Sequence, residues 1–305
     1  MGVKFYCGIN DTKWNHHPVA PGAYACVSPV YGATARTRKE NRIHIPDEVR
    51  EVIQDSGAFC DGPGQRLDFR AALDRQVEHA DKYGYAERIT HRASYDLLID
   101  EKWINGRRHK ARWSEADAAE AVVETVAAAE FMSRNRNGIG LILSAQGVSA
   151  TQYLDCVERI APLLEAGDIF GLGGWCITGK MPRRILPVFF DTMKRIIPRA
   201  AELGVRRAHI WGVIYAPALS ALLWVCNQHG IELSTDSAGP SVRPAFGEWG
   251  YAEWKDPDYI RPMPTERGLH RARHVALTRD WLSRLEESPA YKNNELAKFA
   301  AFCGG

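Results

Sequence analysis

The chain has 305 residues, with 39 Lys and Arg against 37 Asp and Glu, a formal net charge of +2, and 45% hydrophobic and 25% charged residues. This is the balance of a soluble globular protein, long enough to bury a sizeable core in one large α/β domain or two smaller ones. It excludes a uniformly positive body, so any nucleic-acid partner must be held by local basic patches.

Seven cysteines, at positions 7, 26, 60, 156, 176, 226 and 303, stand singly with no CxxC pair. They read as reduced, mostly buried thiols. Met1 to Asn10 lacks the basic start and longer apolar core of a signal peptide, and no 18-residue apolar run offers a membrane span. The expected location is the cytoplasm.

In chain order, short apolar runs suggest strands at Val3 to Ile9, Ala23 to Val30, Val49 to Gln54, Arg88 to Ser94, Ile139 to Ala145, Ile169 to Leu172, Ala208 to Val213 and Ile231 to Thr235. Amphipathic periodicity predicts helices at Leu67 to Tyr83, Ser114 to Arg134, Ala150 to Glu165, Arg183 to Leu203 and Pro217 to His229. Glycines 84, 167, 204 and 230 sit where helices end before a strand. This alternation predicts a (β/α)8 TIM barrel, with a doubly wound sheet as the competing architecture. The loops Asn10 to Gly22 and Tyr31 to Pro46, rich in Pro, His, Gly and Arg, make the first strands irregular. Residues 1–245 read as the barrel and 246–305 as a C-terminal extension of the same domain. That extension has an aromatic loop from Phe246 to Tyr259, an Arg-studded helix from Thr265 to Leu285 and a short closing helix from Asn293 to Phe302.

The barrel reading is favoured because polar residues gather at one kind of place. Asp55, Asp96, Gln146, Gly173 and Asp236 stand at or just past the carboxyl ends of strands, which in a barrel share one mouth. The run Gln54-Asp55-Ser56-Gly57-Ala58-Phe59 joins a strand to a glycine-softened turn, leaving a carboxylate at its end. Taken alone, Asp55 reads more readily as an N-cap or turn residue. Gln146 has the alternative of tying a strand end to a loop, and Asp100 rivals Asp96 because the strand boundary is uncertain. His270 and His274, spaced i, i+4, read as helix-surface residues, since two histidines underfill a metal shell.

Four segments, in this order, resemble the tRNA-guanine transglycosylase family: Asp55-Ser56-Gly57-Ala58-Phe59, Ala145-Gln146-Gly147, Gly171-Leu172-Gly173-Gly174-Trp175, and His209-Ile210-Trp211-Gly212-Val213 leading to Asp236. The resemblance spans roughly residues 49 to 243 and rests on their joint order. It implies a (β/α)8 barrel that exchanges guanine in a polynucleotide for a 7-deazaguanine without strand cleavage. By position it implies Asp236 as nucleophile and Asp55 as general acid and base. Asp96 and Gln146 would read the base edge, the Gly173-Gly174 peptide would bond the base, and Phe59 and Trp211 would sandwich it. Trp175 stands for the family's usual leucine in the pocket, and Ala58 for its second glycine.

The family's zinc site needs three closely spaced cysteines and a histidine after the nucleophile, whereas here no cysteine follows Asp236 until Cys303. No metal or other cofactor is expected. The missing zinc subdomain and RNA-binding module make the chain most similar to the DNA-acting branch, the DpdA-type DNA 7-deazaguanine transglycosylases that insert 7-cyano-7-deazaguanine (preQ0) or a relative. The alternatives are a tRNA enzyme lacking zinc, or a non-catalytic barrel that binds 7-deazaguanine or nucleic acid. The expected partners are duplex DNA with a flipped-out guanine nucleotide and a free 7-deazaguanine base. A second copy or accessory proteins are left open.

The chemistry suits the residue types. Two carboxylates flanking a glycosidic bond serve a double displacement through a covalent intermediate, and a base hidden in a duplex must be flipped out to be reached. That predicts basic and aromatic residues around the mouth. Candidates are Lys102, Arg107, Arg108, Lys110 and Arg112, interleaved with Trp103 and Trp113, then Arg183 and Arg184, and Arg243. The competing reading of each charge run is a solvated face.

Overall fold

The computed structural model describes residues 2–9, 22–29, 43, 45–61, 66–97, 99, 101–104, 107–110, 113–176, 178, 182–237 and 267–292. The strands are β1 (Lys4–Gly8), β2 (Tyr24–Val27), β3 (Glu51–Gln54), β4 (His91–Ala93), β5 (Glu101–Ile104), β6 (Arg107–Lys110), β7 (Gly140–Ala145), β8 (Ile169–Leu172), β9 (Arg207–Ile210) and β10 (Glu232–Ser237). Eight of them close in the order β1-β10-β9-β8-β7-β4-β3-β2, every pair parallel, with β2 returning to β1. The expected (β/α)8 barrel is therefore the fold, and the open-sheet alternative falls away because no barrel strand has a free edge.

The helices follow the strands: α1 (Phe69–Tyr83), α2 (Glu115–Arg134), α3 (Ala150–Ile160), α4 (Pro182–Glu202), α5 (Ala216–Gln228), then α6 (Arg267–Ser283) and the short α7 (Pro289–Lys292). Local chemistry starts several of them. The Asp68 carboxylate accepts from Ala71 N at 2.7 Å, Ser114 and Asp117 form a reciprocal capping box, and Ser149 caps α3. Each such cap satisfies orphan amides of the first turn, for about 1 kcal/mol. At the other end of the chain α6 lies against β1, where Val3 N donates to Leu282 O at 2.9 Å and Val275, Leu282 and Leu285 are buried. His274 on this helix is also buried, correcting its reading as a surface residue. The aromatic loop, the Asn293 to Phe302 helix and most of the two early loops lie outside the described residues.

Alternate strand residues point into the barrel and the others outward to the helices. The outward set forms the large core of strand and helix side chains, including Leu141, Leu143, Phe170, Leu172, Ile210 and Leu233. The inward set is layered. Lys4, Glu51, Arg207 and Glu232 form an ionic layer at the amino end, where Lys4 Nζ meets Glu232 at 2.7 Å and Arg207 bonds Glu51 at 2.5 Å. Above it, Tyr6, Ile53, Ala93, Ile142 and Ile169 pack as an apolar plug with Cys26. At the carboxyl end, the same inward faces present Asp55, Ser144, Trp211 and Asp236. An element the sequence reading did not place is the antiparallel hairpin of β5 and β6, inserted between β4 and α2. No helix among the described residues is long and apolar enough to cross a membrane.

Candidate active site

Asp236 lies on the last barrel strand with its side chain 19% exposed. Its Oδ1 accepts from Gly212 N at 2.8 Å and stands 3.2 Å from Nε2 of the fully buried His209. Gly212 has φ +66°, a left-handed conformation that turns its N–H back toward the carboxylate. A Cβ there would also meet Cys176 Sγ at 2.9 Å.

Asp55 follows β3, its backbone N bonded to Val27 O at 2.9 Å and its carbonyl accepting from Gln76 Nε2 at 3.0 Å. The turn after it is fastened by Arg75, which donates to Ser56 O and to Asp61, each at 2.8 Å. The Asp55 carboxyl is shifted upward. Removal from water is the main cause and the negative charge of Asp236 the next, and the two outweigh hydrogen bonds from Gly57 N, Ser56 N and the Ser28 hydroxyl. The Cys26 thiol, on β2 and therefore two strands from β10, is pushed well above its ordinary value by burial and then by both Asp236 and Asp55. The structure thus brings the two carboxylates expected from sequence into one electrostatic neighbourhood. Folding makes the Asp55 carboxyl hold its proton more tightly than a free aspartate does, in the field of a carboxylate held by Gly212 N and bordered by His209.

Beside this pair, Ser56 Oγ donates to Asp96 Oδ1 at 3.2 Å. Asp96 also borders the glycine turn, since a Cβ on Gly173 would fall 3.3 Å from its Oδ2 and 3.0 Å from Gln146 Cγ. Gln146 is wholly buried and donates from Nε2 to Thr125 on α2 at 3.2 Å, so it does tie the strand end to a helix. Its Oε1 has no hydrogen-bond partner among the described residues. An unspent buried acceptor of this kind costs about 1–3 kcal/mol unless something donates to it. Gly173 itself differs from expectation. Its N–H donates to Ala145 O at 2.9 Å and its carbonyl accepts from the Tyr153 hydroxyl. Its polar groups therefore serve the fold, and its contribution to the site is the space left by its missing side chain. Gly174 follows in a left-handed turn against Ile99.

The aromatic residues divide. Trp211 is half-buried at the top of the barrel interior, its Nε1 donating to Ser144 Oγ at 3.0 Å and its ring 4.4 Å from that of His209. Gly171 makes room for it, as a Cβ there would stand 3.1 Å from Nε1. Phe59 is half-buried on the short turn Ala58–Cys60 that follows Asp55. Trp175 is not a pocket wall. It is 0% exposed, stacked on Tyr153 with ring centroids 5.5 Å apart, and meets Phe189 edge-on at 5.0 Å. The left-handed Gly174 sends the chain outward, so the indole fills the layer between the barrel and helices α3 and α4.

Of the basic residues, Lys102, Arg107, Arg108 and Lys110 lie on the two strands of the hairpin, with Lys102 paired to His109 and Trp103 to Arg108. The hairpin's root is closed by Trp113 N donating to Ile99 O at 3.0 Å, and Ile99 touches the Gly173-Gly174 turn. The hairpin therefore rises from the rim of the mouth. Arg183 and Arg184 are exposed in the first turn of α4, whereas Arg112 and Arg243 lie outside the described residues, as does Asp100. Among the described residues no group of three or more His, Cys, Asp or Glu is arranged to hold a metal ion.

Sequence reasoning gave no role to His209, Ser28 or Gly212, although His209 and Gly212 stand in one of the four segments. The signal for His209 was its i, i+2 spacing from Trp211, which sends both side chains into the barrel.

No protein-family model and no curated protein matches this chain. Among solved structures, a protein from Coccidioides immitis provisionally assigned as a fructose-1,6-biphosphate aldolase is similar over 98% of this chain and 94% of its own, with 8% identity and a TM-score of 0.46.

Proposed function

We propose that this protein is a base-exchange transglycosylase that replaces guanine in DNA with a 7-deazaguanine such as 7-cyano-7-deazaguanine. The observation that carries the reading is the presence of Asp55 and Asp236 together at the mouth, with the Asp55 carboxyl raised by burial and by the charge of Asp236. Such asymmetry is what a proton donor and a nucleophile require when they share one site. Asp236 attacks C1′ as the C1′–N9 bond breaks, and the Asp55 proton passes to the departing guanine. The incoming base then gives its N9 proton to Asp55 and displaces Asp236 from C1′, restoring the carboxylate with the original anomeric configuration.

Trp211 and Phe59 supply flat surfaces for a purine, and Asp96 with the unspent Gln146 Oε1 supplies acceptors for its N–H groups. A polynucleotide partner is supported by the hairpin whose strands carry Lys102, Arg107, Arg108 and Lys110 at the rim, and the choice of DNA over tRNA rests on the lack of clustered zinc cysteines between Asp236 and Cys303. Basic residues there would hold phosphates on either side of a flipped nucleotide.

The test is to supply labelled 7-cyano-7-deazaguanine with duplex DNA and, separately, with tRNA. Label is expected in DNA. Label in tRNA alone would overturn the choice of polymer, and binding of the base with label in neither would favour a non-catalytic barrel.

A further inference from the structure

The base-exchange reading leaves one buried group at the nucleophile unused. His209 on β9 is the register partner of Ser234 on β10 and is wholly buried. Its Nδ1 lies 3.0 Å from Ser234 Oγ and its Nε2 3.2 Å from Asp236 Oδ1. A carboxylate offers only acceptors, so a hydrogen bond at this point requires the proton to be on Nε2. The Ser234 hydroxyl can face either state of Nδ1, because its oxygen both donates and accepts and has Ala208 O at 3.0 Å as a second partner.

Three further contacts define the arrangement. Gly212 N donates to the same Oδ1, so both donors converge on one oxygen, and Oδ2 has no hydrogen-bond partner among the described residues. The rings of Tyr6 and Trp211 meet the imidazole edge-on at 5.5 and 4.4 Å, enclosing it below the mouth. His209 therefore reaches substrate only through Asp236.

We propose that His209 is a positioning residue that, together with Gly212 N–H, reserves Oδ2 of Asp236 for attack on C1′; this rests on the base-exchange reading. In the first displacement an Oδ2 lone pair forms the bond to C1′ while the C1′–N9 pair leaves with the guanine, and Oδ1 becomes the carbonyl oxygen of a glycosyl ester. In the second, N9 of the incoming base attacks C1′, its proton goes to Asp55, and the C1′–Oδ2 pair returns to the carboxylate. The N–H donors on Oδ1 stabilise that returning charge, and a hydrogen bond to a carboxylate is stronger than one to an ester carbonyl. Loss of the His209 donor therefore slows the second displacement more than the first.

Two measurements on the protein test this. In protein labelled with 15N-histidine, the His209 Nε2 resonance is expected to be that of a protonated nitrogen and to shift in Asp236→Asn. A bare Nε2 would overturn the proposal whatever the protein's activity. With duplex DNA and base supplied, His209→Leu is expected to hold about ten- to hundredfold more covalent protein–DNA adduct than wild type. His209→Gln, which retains an N–H donor, is expected to return toward the wild-type level. Equal adduct in all three proteins would overturn the proposal. A wild type that exchanges no base, with Nε2 protonated, would overturn the base-exchange reading and leave the hydrogen-bond assignment standing.

Discussion

Glu51 and Asp55 stand four residues apart on the same inward face, one opening β3 at the amino end of the barrel and the other just past its carboxyl end. Their carboxyls move in opposite directions. Burial works against the charge of Glu51, but the Tyr6 hydroxyl at 2.7 Å, Arg207 and Lys4 outweigh it, and its carboxyl is held below the usual range. Burial also works against Asp55, yet the charged neighbour acting on it is another carboxylate, and its carboxyl is raised. One end of the barrel neutralises its charges in a network and the other sets like charges against each other. The first arrangement serves stability, and the second raises the hold of one carboxyl on its proton, as an acid-base role would require.

The contrast is most open to attack at the mouth. Asp236→Asn is expected to lower base exchange by at least ~10⁴-fold with folding intact, measured as label entering DNA. Asp55→Asn should slow exchange by roughly 10²–10⁴-fold. It should also leave the protein as stable as wild type or more so at neutral pH. The sign follows from the raised carboxyl: the folded chain binds this proton more tightly than the unfolded one, so its contribution falls as pH rises above about 3.9.

At the opposite end, Glu51→Gln is expected to cost about 1–3 kcal/mol in urea unfolding without altering exchange, because it strands partners of a half-buried ionic layer. Its carboxyl is lowered on folding, so the stabilisation is present above pH about 4.3 and is lost as pH falls through the folded value. The cost of the substitution should therefore shrink in acid. The smallest effect concerns the rim. Replacing Lys102, Arg107, Arg108 and Lys110 by Ala should flatten the salt dependence of DNA binding by roughly 0.9 in slope for each phosphate no longer neutralised. Free-base binding should not change. An unchanged slope would return the hairpin to a solvated face.

All eight barrel strands were legible, because most are short apolar runs bounded by glycine or polar residues, with β4 (His91–Ala93) the polar exception. The hairpin was not, since Glu101 to Lys110 carries charge where strands usually carry apolar residues. Its readable mark was Asn105-Gly106, a two-residue hairpin signal between the paired Ile104 and Arg107. The carboxylates were found because a strand end names its own position in a barrel. Trp175 was misjudged for the converse reason: past the strand end, the φ of Gly174 decides whether a side chain turns to the mouth or to the helices, and sequence does not state it. His209 needed the register of β9 against β10, which pairs it with Ser234 and sets it beneath Asp236.

The coupling between the two carboxylates is tested most directly by following the Asp55 carboxyl by 13C NMR as a function of pH, in wild type and in Asp236→Asn. An apparent pKa above the ordinary aspartate range is expected in wild type, falling when the neighbouring charge is removed. An Asp55 that titrates in the ordinary range in both proteins, or that is unmoved by the loss of Asp236, would contradict the coupling.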